Sequence, residues 1–175
     1  ISTHTASASA TLDITSGITS TYDSYEFHFV NIHPATNDIY YTFQVNADGQ
    51  TGFNETITST SFYTLHNEAD SSTALSYHAS YDQAQGTAYQ TIAIGGGNGA
   101  DESTSGILTL YAPSSTTYVK HFVAQGNAYH HANGTITTHA AGYINTTSAI
   151  DEISFKFSSG NTDAGVIKMY GIATS

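Results

Sequence analysis

Apolar and polar residues alternate with period two over much of the chain. Ile39, Tyr41, Phe43 and Val45 fall on one side of an extended segment, with Tyr40, Thr42, Gln44 and Asn46 on the other, which predicts a strand buried on one face. Tyr25, Phe27 and Phe29 alternate in the same way with Glu26, His28 and Val30, as do Ile153, Phe155 and Phe157 with Glu152, Ser154 and Lys156. Runs rich in β-branched and aromatic residues at 5–14, 53–65, 87–94, 106–112, 117–124, 135–144 and 164–172 bring the total to roughly ten strands. The separators carry turn chemistry: Asp48-Gly49, the run Gly95 to Gly99, Pro113-Ser-Ser115, Asn133-Gly134 and Ser159-Gly-Asn161. Only 67–77 offers a short helix, with Asn67 as its cap and Ser71, Ser72 and Thr73 weakening it. The pattern therefore predicts an all-β fold: residues 1–175 as a single jelly-roll-like antiparallel β-sandwich with little or no helix.

Composition supports one folded unit. With 175 residues and 39% hydrophobic content, the chain can bury about 70% of its unfolded surface. Charged residues make up only 10%, and three basic residues against fourteen acidic ones leave a formal charge of −11. That charge repels phosphate backbones and anionic lipid surfaces, which argues against nucleic-acid binding. No apolar run reaches the ~18 residues of a membrane-spanning helix, so no membrane insertion is expected. Cysteine is absent, which removes disulfides and thiolate zinc sites and leaves packing and oligomerisation to stabilise a domain outside the cell.

The chemistry-bearing motifs are weak. Gly95-Gly-Gly97-Asn-Gly-Ala100 fits a dinucleotide fingerprint, but Asp101-Glu-Ser-Thr-Ser-Gly106 follows it without an amphipathic helix and with negative charge; a flexible glycine loop is the expectation. Among nine histidines, His130 and His131 with His121 and His139 invite a metal, yet adjacent residues of a regular strand point to opposite faces. Surface or interface histidines are expected. Asp101-Glu102 and Asp151-Glu152, with Asp48 and Asp82, lack the spacing of a calcium loop and read as solvated charges. No G-x-S-x-G motif and no cysteine nucleophile is present, so the protein is expected not to be an enzyme and to need no cofactor. Three N-x-[ST] matches, at Asn54, Asn133 and Asn145, are expected by chance in a chain so rich in Asn and Thr.

Several segments carry a resemblance. Tyr22-Asp-Ser-Tyr25, Asn31-Ile-His-Pro-Ala-Thr36, Gln83-Ala-Gln-Gly-Thr87, Pro113-Ser-Ser-Thr-Thr-Tyr-Val-Lys120, and the ending from Ser158-Ser-Gly-Asn161 to Tyr170-Gly-Ile172 together resemble structural proteins of tailed phages, particularly marine ones. The resemblance spans nearly the whole chain. It implies a β-sandwich on the virion exterior, in capsid decoration, head fibres or tail fibres, with copies of itself and other virion proteins as partners and no catalytic residues. The closing strand, 166–172, is expected inside a sheet. Two rival expectations remain: an extracellular module that binds a host-surface glycan or receptor through exposed Tyr63, Tyr77, Tyr81 or Tyr129, and a subunit of a cellular extracellular filament.

Overall fold

The computed structural model describes residues 2–173 as thirteen strands, paired antiparallel throughout, with no helix among them. In chain order these are β1 (Ser2–Thr5), β2 (Leu12–Ile14), β3 (Ser24–Pro34), β4 (Ile39–Ala47), β5 (Ile57–Asn67), β6 (Thr73–Tyr77) and β7 (Ala84–Gly86). They continue with β8 (Gln90–Gly96), β9 (Thr104–Tyr111), β10 (Lys120–His130), β11 (Gly134–Ile144), β12 (Ile150–Phe157) and β13 (Thr162–Ile172).

The strand order explains the sandwich. One run reads β1-β13-β3-β9 and the other β2-β12-β4-β8, so each short connection, β1 to β2, β3 to β4, β8 to β9 and β12 to β13, passes from one sheet to the same place in the other. Neighbouring connections cross together, as rolled ribbons do in a jelly roll. The first sheet then continues through β10, β11 and β5, which carries both β6 and β7. It curls over β8, which it meets again at the His130–Gly96 bridge, and every residue of β8 is buried.

Period two locates the core. Tyr25, Phe27, Phe29, Tyr41, Phe43, Phe155 and Phe157, all expected to point inward, are buried between the sheets. Their rings touch at aromatic geometries, Phe27 to Phe155 at 5.7 Å between centroids and Phe43 to Phe122 edge-on at 5.0 Å. The last strand, β13, lies between β1 and β3 as expected.

Three local expectations are corrected. Residues 5–14 are not one strand: they split into the end of β1 and β2 around a bend in which Ala8 adopts φ 49°. Residues 67–77 are not a helix but the turn and return strand of the β5–β6 hairpin, where the Asn67 carboxamide oxygen accepts from the amides of Ser71 and Ser72, each at 2.9 Å. The polar side of β4 is not solvent-facing, because Thr42, Gln44 and Asn46 are buried there; Gln44 Nε2 donates to the carbonyls of Glu55, Thr87 and Ala88, so two covering loops satisfy it. Lys120 is likewise buried, with its ammonium donating to the carbonyls of Tyr118 and Thr146.

Candidate functional site

Beyond the main core, the fold closes around β8 with a smaller one. Ile94, Ala128 and Ile136 are buried there, and Tyr40, Tyr63, Leu65 and Tyr81 pack against them without being covered. The approach of β10 to β8 depends on Gly126, where a Cβ would stand 2.6 Å from the Ile92 carbonyl oxygen. Above this core opens a pocket of about 280 Å³, lined by Asp38, Tyr40, Tyr63, His78, Tyr81 and His130 among others.

Its aromatic wall is a chain of rings in contact. Tyr40 lies 4.7 Å from Tyr81 between centroids, Tyr81 stacks on His78 at 4.0 Å, and His78 lies 5.5 Å from Tyr63. Four elements converge to build it: the start of β4, mid-β5, the segment after β6 and the β8–β10 junction. Asp38, in the left-handed region at φ 56°, ends the turn into β4 and brings its carboxylate to the rim. His131 Nδ1 stands 3.1 Å from that carboxylate. Gly95, with φ 67°, lets the His130 ring lie close, since a Cβ there would meet its Cδ2 at 2.6 Å.

Burial, then the hydrogen bond with Tyr40, then the charge of Asp38 push the Tyr81 phenol well above its ordinary range. Burial lowers His130, helped by neighbouring His131 and opposed by Asp38. His130 is therefore neutral at pH 7. Asp38 is the one Asp, Glu, Lys or Arg among the residues that line the pocket.

The structure brings two of the four expected tyrosines together, Tyr63 and Tyr81, and separates the others. Tyr77 is exposed on β6, with its hydroxyl donating to Asp82. Tyr129 lines a larger, open groove of about 550 Å³ with His66, Glu68, Asp70 and Asp101; its hydroxyl donates to Glu68 at 3.0 Å, and that bond raises its pKa. Sequence reasoning missed Tyr40 and His78. Only the spacing of His78 and Tyr81 is local; the rest of the wall forms by long-range closure.

His130 and His131 do not diverge as a regular strand would require. β10 ends at His130, His131 lies in the following turn, and the rings sit 4.2 Å apart. His139 is elsewhere, stacked on Phe62 at 4.8 Å on the outer face, and His121 meets Tyr143 edge-on. No group of three or more His, Asp or Glu is placed to hold a metal ion among the described residues. Glu102 accepts from the Gly99 amide at 2.6 Å, and Asp151 is raised by burial, then by Glu152 and Asp48. The glycine run is not a loop along its length: Gly95 and Gly96 complete β8, and the Gly97 amide bonds to the Tyr129 carbonyl at 3.1 Å.

A second surface lies on the outside of the large sheet. Strand register aligns Tyr77, Phe62, His139, Gln125 and Ile107 in one row across β6, β5, β11, β10 and β9, with Leu75, Val123 and Tyr111 in adjoining rows. Eight of the nine large hydrophobic side chains that are exposed among the described residues lie on this sheet's outer face, which makes it the main apolar surface. From β6 to β9 the outward strand positions carry no Asp, Glu, Lys or Arg, and carboxylates reach this face from loops at its margins, Asp82 at the Tyr77 hydroxyl and Glu68 at the Tyr129 hydroxyl; Glu26 and Lys168 come on β3 and β13. No family model, curated protein or solved structure matches this chain.

Proposed function

We propose that the protein is a non-enzymatic structural subunit of a tailed-phage virion, carried on the particle exterior as capsid decoration, head fibre or tail fibre, and that it self-associates. The observation that carries the self-association is the outer face from β6 to β9, whose strand positions hold no Asp, Glu, Lys or Arg. In a chain of net charge −11, chance would scatter carboxylates over so wide a face, and like charges there would oppose contact between copies. Instead the acidic side chains lie mostly in turns and loops, while threonines, aromatic rings and exposed aliphatic side chains occupy the strands. Exposed apolar side chains gathered on one face of a sheet favour contact there.

Sheet edges contribute less. The strands that end the pairing network, β1, β2, β6 and β7, have four, three, five and three residues, and short edge strands limit edge-to-edge pairing. The face, not an edge, is the joining surface. The virion assignment rests on the phage-like segments, whose residues form turns and strand ends: the Ser158 to Asn161 turn leads into β13, and the Asn31 to Thr36 segment ends β3. Electron microscopy of phage particles labelled with antibodies against this chain tests the assignment. Regular labelling of the exterior of intact particles is expected, and labelling absent from purified particles would overturn it.

A further inference from the structure

We propose that the pocket beside β8 is a binding site for an alkylammonium group, the chemistry shared by a choline headgroup and a lysine side chain. This goes beyond the structural role above, since a virion subunit needs no such pocket in order to assemble. Tyr40, Tyr81, His78 and Tyr63 present four aromatic rings in an unbroken wall, and the negative faces of such rings attract a cation that has been partly desolvated. Leu65, Ile94 and Ile136 supply an apolar floor for a hydrocarbon stem or for N-methyl groups.

The electrostatics select the sign. Asp38 is the pocket's one carboxylate, and no Lys or Arg lines it to compete for that charge. Burial and neighbouring His131 lower the pKa of His130, which disfavours its charged form in the pocket. Tyr81 resists ionisation because of its burial, its bond with Tyr40 and the nearby Asp38, which also marks the site as hostile to an anion. A net charge of −11 draws cations toward the protein as a whole. A neutral sugar could stack on the same rings, but it would bring no cation to Asp38, whose carboxylate has the His131 imidazole beside it, at 3.1 Å.

The test uses the full chain and isothermal titration calorimetry at pH 7.5, with choline, Nα-acetyl-lysine methyl ester and methyl glucoside as separate probes. Choline or the lysine ester is expected to bind saturably, with a dissociation constant on the order of 1 mM. A tighter choline isotherm identifies a quaternary headgroup as the preferred source, and a tighter lysine isotherm a protein side chain. Tyr81→Ala is expected to weaken binding about two- to thirty-fold. Asp38→Asn, which keeps a residue tolerant of positive φ and so keeps the turn, is expected to weaken it as well and to reduce its salt dependence. Tyr118→Ala, at an exposed loop tyrosine outside the pocket, leaves it unchanged. Binding of methyl glucoside alone, binding of neither ammonium probe, or ammonium binding that Asp38→Asn leaves intact would each overturn the proposal. Exterior labelling of virions is independent of all these outcomes.

Discussion

The two halves of the large sheet carry the same alternating pattern and meet different partners. β13, β3 and β9 face the four-stranded sheet strand for strand, and the gap between them is filled by Phe27, Phe29, Tyr41, Phe43, Phe155 and Phe157, nearly sealed from solvent. β10, β11 and β5 join the same core at one end, through Phe122, Ala124, Ile144 and Ile57, and at the other end extend over β8 and its covering loops. At that far end the core shrinks to Ile94, Ala128 and Ile136, and its lid is made of side chains with polar ends, Tyr40, Tyr63 and Tyr81. One half spends its aromatic residues on stability, and the other leaves them half-buried where a ligand can reach. The difference comes from how far the opposing sheet extends, not from the strands themselves.

Emptying each core in turn separates the two halves most sharply. Phe155→Ala, in the sealed half, is expected to cost about 3–5 kcal/mol in denaturant unfolding, whereas Ile136→Ala beside the pocket should cost about 2 kcal/mol, because its surroundings can relax into the open space. Equal losses would mean that the halves are packed alike. At the seam between them, Gly126→Ala forces a methyl group against the Ile92 carbonyl and the Ala93 side chain; a loss of about 1–3 kcal/mol is expected in the same assay. A neutral result there would show that β10 does not depend on close contact with β8.

The smallest effect concerns pH and is confined to the pocket half. His130 holds its proton less readily in the fold than in the unfolded chain, so between its ordinary value of 6.5 and its lowered one the unfolded state binds more protons. Its contribution to stability is whole above pH 6.5 and declines as pH falls through that window. Thermal melts from pH 7.5 downward should therefore show a shallower decline for His130→Gln than for the unaltered chain. Parallel profiles would remove His130 from the account.

The sealed half was legible in the sequence because each of its strands buries one face. Tyr25, Phe27 and Phe29, or Ile153, Phe155 and Phe157, announce that face by alternation alone. The other half was harder to read. Gln44 and Gln90 look like surface residues, yet both are buried: carbonyls of the 55 and 87–88 segments accept from Gln44, and Ser59 and Tyr81 partner Gln90, and such contacts leave no periodic trace. His130 and His131 come together only because β10 stops between them, and strand ends are what local pattern defines least well. Tyr63 and Tyr81 could be named as exposed rings, but their meeting with Tyr40 depends on the large sheet curling over β8. The outer face without charged strand positions was written in the sequence all along, in the threonines and aromatics of 57–77 and 121–143, but it became a surface only once register placed those rows side by side.

Sedimentation equilibrium of the unaltered chain and of Val123→Glu, which sets a carboxylate in the middle of that face, tests whether the face joins copies of the chain. The account predicts an oligomer for the unaltered chain and a folded monomer for the variant. An unaltered chain that stays monomeric at every concentration examined, or a Val123→Glu protein that assembles as before, would contradict it.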